Sequence, residues 1–278
     1  MMRFWVSVMS AAIVAVLLAG CGGGQSVPQA KSGSADAHKA GTNTPTAAPS
    51  SATHTPNGPS ADDVTRYFAA LASENPSKQR RVFKLTASGS IAEAYIKEQY
   101  GVTLALQQSG QSLPPTKFTH TGDTYKSCQK AGAGQGKSCV TWGNIQAKGN
   151  RIANFTVNGK SLKSRLSVGS GKYQPVGSLG KVRVLASYQS VQSGALFVVF
   201  TLKSRSHPLS IDQTDSAYLT RSGTQVSAAE VEGPDKLLPH AKGLYYIAFA
   251  HTPVGGKLVL RVIDMQNYSD ASAAIPTT

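Results

Sequence analysis

Ala131 to Ser138 reads A-G-A-G-Q-G-K-S, with Lys137 and Ser138 where a phosphate loop places its phosphate and magnesium contacts. Such a loop needs a buried strand before it and a helix after it. This segment lies between Cys128 and Cys139 and runs into the strand-like Val140-Thr141-Trp142, so it reads as a flexible glycine loop without a nucleotide. A serine nucleophile is no better supported. Ser-x-x-Lys spacing occurs at Ser127 to Lys130 and at Ser178 to Lys181, but the companion Ser-Asp-Asn and Lys-Thr-Gly elements and a Gly-x-Ser-x-Gly elbow are missing. His120 and Asp123 have the spacing of an acid or base with its orienter, and equally that of a polar turn, which is the reading taken. Asp212, Asp215, Glu230, Glu232, Asp235, His240 and His251 lack the short spacing of a metal site. Asp212 and Asp215 are read as solvated loop acids rather than calcium ligands. No metal, no cofactor and no catalytic residue is expected.

Charge is the more ordered signal. The chain has 28 Lys plus Arg against 14 Asp plus Glu, a formal +14. No acid occurs between Asp123 and Asp212, while thirteen basic residues do. A one-sided run of this kind concentrates positive potential. Lys126, Lys130, Lys148, Arg151, Lys160, Lys163 and Arg165 are the candidates for contact with an anion. Few aromatics are interleaved with them and no nucleic-acid motif is present, which argues against nucleic acid.

The elements that would position these residues fall into two groups. Ser60 is a candidate N-cap before Asp62 and Asp63, and Val64, Tyr67, Phe68 and Leu71 recur at helical spacing up to Pro76. A short helix through Arg80, Val82 and Leu85 follows, then a third from Ser90 through Ile91, Ala94, Tyr95, Glu98 and Val102. Strands are expected over 117–124, 138–146, 151–157 and 164–168, with Asn158-Gly159 as a tight turn. After Pro175 only strands are expected, Ala195 to Leu202 being a continuous buried one. The fold class is thus an α+β first domain over 61–174, then an all-β sandwich over 175–268, with 269–278 a flexible tail. Residues 22–60 are rich in Gly, Ser, Thr, Ala and Pro and read as a tether reaching about 35 Å. His38 and His54 are solvated spacer residues within it.

The first 21 residues carry Arg3, an apolar run to Leu18, and then Leu18-Ala19-Gly20-Cys21. This resembles the signal of a bacterial lipoprotein, and the run is shorter than a spanning helix needs. The resemblance implies that residues 1–20 are removed and that Cys21 is acylated as the first residue of the mature chain, holding the protein extracytoplasmically on the cell membrane. With Cys21 lipidated, Cys128 and Cys139 remain as an even pair in an oxidising compartment and are expected to form a disulfide that staples the loop between them. Their separation is not the Cys-x-x-Cys of oxidoreductases.

Phe200-Thr201-Leu202-Lys203-Ser204, Ala217-Tyr218-Leu219 with its turn at Gly223, Leu237-Leu238-Pro239 and Gly243 to Phe249 resemble the telokin-like, immunoglobulin-like domain of bacterial lipoproteins. Ser204 stands where that family has Asn. Helices followed by Cys139-Val140-Thr141-Trp142 and Asn154 to Leu162 are similar to the cone-shaped fold of nuclear transport factor 2. These resemblances imply folds that bind or pack, without assigning chemistry. The expected function is binding or scaffolding rather than catalysis, through contact with an anionic wall polymer or lipid head groups. Two alternatives stay open: a small-molecule or enzymatic pocket in the first domain, which a deep, largely apolar cavity with a perturbed acid or His would favour, and a subunit of an envelope protein assembly.

Overall fold

The computed structural model describes residues 58–111, 113–129 and 138–278. The signal segment, Cys21, the tether with His38 and His54, Lys130 and most of the glycine loop including Lys137 therefore lie outside the described residues. Within them the fold is largely antiparallel β, with three helices.

Helix α1, Ala61–Ala72, begins as the sequence predicts: the Ser60 hydroxyl accepts from the Asp63 amide at 3.1 Å. Pro76 does not merely end that helix. With Asn75 as its cap it starts α2, Pro76–Arg81, since proline at the first helical position lacks only an N–H that would have no partner there. A 3-10 turn, Phe83–Leu85, leads to α3, Ile91–Gln108, which outruns its expected end at Val102 because the following Thr-Leu-Ala-Leu-Gln-Gln contains no helix breaker.

A five-stranded meander follows: β1 (Thr116–Thr121), β2 (Thr124–Gln129), β3 (Ser138–Lys148), β4 (Arg151–Val157) and β5 (Lys160–Ser161), in spatial order β1-β2-β3-β4-β5. The single strand expected over 117–124 is two, because Gly122, with φ of +54°, turns the chain with Asp123. Asn158 and Gly159, with φ of +48° and +73°, make the expected tight turn. One face of this sheet packs on the helices: Phe68 stacks on Tyr125 and Trp142 and meets Phe155 edge to face.

The remaining strands form two sheets. One has the order β10 (Leu209–Ile211), β15 (Lys257–Asp264), β11 (Ala217–Leu219), β12 (Gln225–Ser227), with β16 (Asp270–Pro276) also on β15. The other runs β13 (Glu230–Glu232), β14 (Lys242–Phe249), β9 (Leu196–Ser204), β8 (Gly180–Gln189), β6 (Leu166–Val168), with β7 (Gln174–Val176) also on β8. They bury Val198, Phe200, Ile247, Leu258, Leu260 and Ile275 between them. The second sheet is covered on its other face too, where Val199, Leu244, Tyr246 and Ala248 meet Ala105 and Leu106 of α3. Burial on both faces explains the unbroken apolar reading of β9.

Two expectations are corrected. Residues 270–276 are not a flexible tail: they pair with β15 along their whole length, with Ile275 2% exposed. Alternating Ala and Ser hide the strand, because such small residues give little period-2 contrast. Leu166–Val168, expected to belong with the first group of strands, hydrogen-bonds to β8 of the second.

Candidate functional site

Residues Tyr95, Glu98, Gln99, Val102, Thr103 and Leu106 recur at helical spacing on one face of α3 and line a cavity of about 120 Å³ that opens toward solvent. Val140 and Val157 of the meander, Tyr188 of β8, Phe197 of β9, Glu230 of β13 and Tyr246 of β14 form further wall, to which Leu113 and the polar Ser190 and Gln192 add. A second space of about 80 Å³ shares Glu74, Tyr95, Gln99 and Val140 with it and reaches Ser127 and Trp142. The helix can lie this close to β9 because Gly101 faces Val199; a Cβ there would stand 2.3 Å from Val199 Cγ1.

Three carboxyl groups enter this cavity: Glu74, Glu98 and Glu230. Glu98 is 0% exposed; its Oε2 accepts from Gln99 at 2.7 Å and its Oε1 has no partner. Burial pushes its pKa up to about 8, against the opposing hydrogen bond from Gln99. Glu230, 5% exposed, accepts from the Tyr246 hydroxyl at 3.1 Å, and its Oε2 is without a partner. Burial and then the neighbouring Glu232 push it up to about 7. Glu74 accepts from Gln129 at 2.8 Å and is also raised to about 7 by burial. Among the described residues none of the three forms an ion pair with Lys, Arg or His. Nor does any group of three His, Cys, Asp or Glu among them converge as a metal site needs. The cavity therefore joins largely apolar walls to carboxyls that have no basic partner among the described residues, an arrangement suited to a ligand that is partly apolar and supplies hydrogen-bond donors or positive charge.

Cys128 and Cys139 face each other across β2 and β3 and are disulfide-bonded, at the root of the glycine loop. The anion candidates are scattered. Lys126 lies on β2 opposite Thr141, whereas Lys148, seven residues further along β3, pairs with Arg151 at the other end of the sheet, about 20 Å away at the strand rise. Lys160 is on β5, and Lys163 and Arg165 follow in the chain toward β6, with the Arg165 Nη1 donating to Gln189 Oε1 at 3.3 Å. Lys130 falls outside the described residues. His120 makes no contact with Asp123 and stacks on Tyr125. Asp212 and Asp215 both reach Arg261, which also pairs with Asp270, so these acids hold a guanidinium.

Another group of cations lies around a groove in the helical region. Arg66 of α1, Lys78 and Arg81 of α2 and Lys84 of the 3-10 turn surround an open groove of about 610 Å³ floored by Ala69, Ala70, Val82 and Leu85. No acid is among its described lining residues, but Arg66 is ion-paired with the neighbouring Asp63, on which Lys84 also acts. The charge run after Asp123 could not reveal it, because these cations precede that run and are interspersed with apolar residues. The signal for the cavity was present in part: Glu98 stands on the apolar stripe of α3, where a carboxylate is out of place. No protein-family model, no curated protein and no solved structure matches the chain.

Proposed function

We propose that the chain is an envelope-tethered binding protein whose small, partly apolar ligand occupies the cavity on α3. On this reading Cys21 carries the lipid anchor, and residues 22–60 tether an α+β portion followed by an immunoglobulin-like sandwich. The observation that carries the proposal is Glu98, fully enclosed yet with one carboxyl oxygen left without a partner where the cavity begins. Such an oxygen is costly to bury unless something completes it, and a ligand donor does so. The size is suitable as well, since cavities near 150 Å³ accept a molecule as large as benzene. Binding without turnover is the function proposed, the described lining supplying carboxyl, hydroxyl and amide groups that can hold a ligand beside apolar walls. Ligand-observed NMR with a panel of ring-sized amines, alcohols and hydrocarbons tests it. Wild type should capture members of the panel and Val102→Phe, which fills the cavity, should release them; equal capture by the variant would place binding elsewhere.

The basic groove favours a second role, contact with an anionic envelope component, because four cations meet there around an apolar floor. Association with vesicles containing phosphatidylglycerol should weaken steeply between low and high salt and be lost on neutralising Arg66, Lys78, Arg81 and Lys84. Neutralising Lys126, Lys148, Arg151, Lys160, Lys163 and Arg165 instead should have the smaller effect.

A further inference from the structure

We infer that the ligand of the α3 cavity is a short aliphatic diamine, its two ammonium groups held by Glu98 and Glu230 and its methylenes lying along Val102, Leu106 and Phe197. The inference rests on the reading of this cavity as the ligand site. Each of the two carboxyls keeps one oxygen engaged within the protein, Glu98 by Gln99 and Glu230 by Tyr246, and leaves the other without a partner. Each thus offers one acceptor, which a single ammonium group satisfies with a charge-assisted hydrogen bond. They line one cavity but do not converge with a third ligand as a metal site would. Two acceptors on one cavity call for two donors on one ligand, and Val102, Leu106 and Phe197 supply apolar lining for the chain that joins them. A monoamine satisfies one of these oxygens and leaves the other buried without a partner, whereas a diamine reaches both.

The protons balance in a measurable way. An alkylammonium group arrives already protonated, so a carboxyl that receives it must first give its own proton to solvent. Burial keeps Glu98 largely protonated at neutral pH, and burial with the neighbouring Glu232 keeps Glu230 about half so. Binding should release up to one proton at Glu98 and about half of one at Glu230. The other titratable groups facing the cavity do not supply this proton. Tyr95 on α3, Tyr188 on β8 and Tyr246 on β14 are all raised by burial and stay neutral. Arg165 acts on Tyr188 from outside the lining. Glu74, at the junction with the second space, is a further carboxyl able to add to the release, and Glu232, buried beside Glu230 on β13 and accepting from Gln111, faces Glu230 directly.

Calorimetric titration of the full chain at neutral pH provides the test, with 1,4-diaminobutane as probe and n-pentylamine and 1,4-butanediol as controls of equal heavy-atom count. The diamine should bind at least about tenfold more tightly than either control, as expected for a charge-assisted hydrogen bond over a neutral one. Its apparent enthalpy should differ between phosphate and Tris buffers by the heat of the released protons. Glu98→Gln and Glu230→Gln keep the side-chain shape and remove a titrating group, and each should lower the diamine to the level of the diol and reduce the proton release. If the diol or the monoamine matches the diamine, the diamine is overturned while the cavity remains the ligand site. Diamine binding unchanged in both Gln variants would also overturn the assignment. If none of the three probes binds, the cavity reading falls with it.

Discussion

Glu98 holds its proton in the folded chain up to about pH 8 but releases it near 4.5 when unfolded. Between those values the unfolded state binds fewer protons, so stability falls as pH rises, by up to about 1.4 kcal/mol per pH unit for one such group. Urea denaturation across pH 5 to 9 should show this decline, and Glu98→Gln should lose its share of the slope and be the more stable protein at pH 8. A slope unchanged in the variant would mean that the carboxyl is hydrated in the folded state. Half of this was legible in the sequence, since Glu98 shares a helical face with Ile91, Tyr95 and Val102, where a carboxylate has no reason to be unless it is used or neutral. Glu230 gave no comparable signal. Three strand residues, Glu-Val-Glu, read as a polar edge, and only the pairing of β13 with β14 carries Glu230 to the α3 face. The six anion candidates among the described residues are distributed over the strands and ends of the meander and the chain beyond it, because a run of like charges along a meander alternates between strands.

Among the elements, α3 depends on one close approach. Gly101 costs its helix about 0.5–1 kcal/mol relative to Ala, yet Ala at this position would drive a methyl group into Val199. Gly101→Ala should therefore destabilise by about 1–2 kcal/mol in spite of its better propensity, the usual cost of overpacking exceeding the gain. The double variant with Val199→Ala should recover part of that loss in the same denaturation assay, and no recovery would sink the account. On the meander, the Cys128–Cys139 bridge closes a loop of eleven residues' separation. Cys128→Ser with Cys139→Ser should cost about 2–4 kcal/mol, read as a lower denaturation midpoint under oxidising conditions and no difference under reducing ones. The starts of α1 and α3 were legible because Ser60 and Ser90 are chemical caps, whereas that of α2 at Asn75 was not, because Pro76 reads first as the end of α1. The break at Gly122 and the strand β16 were not, the first because Thr and His flank the turn as strand formers and the second because Ala and Ser carry little apolar contrast.

At the scale of the whole molecule, α3 belongs to two cores at once. Its Tyr95 and Ile96 pack with the meander, while Ala105 and Leu106 pack on the outer face of the β14-β9-β8 sheet, whose inner face closes the sandwich. Tyr188 of β8 likewise joins the helical core, edge to face with Tyr95. A sandwich whose outer sheet lost α3 would expose Val199, Tyr246 and Ala248, and a meander without α3 would lose its helical cover. Neither part is expected to persist once the other unfolds. Calorimetry of the full chain should then show a single transition with matching calorimetric and van't Hoff enthalpies. Gly101→Ala should move that whole transition down, and a ligand of the cavity should move it up, since binding to the folded state alone stabilises by mass action. Two transitions, of which only one responded to Gly101→Ala, would mean that the parts are energetically separate and that a cavity walled by both is assembled only when the ligand arrives.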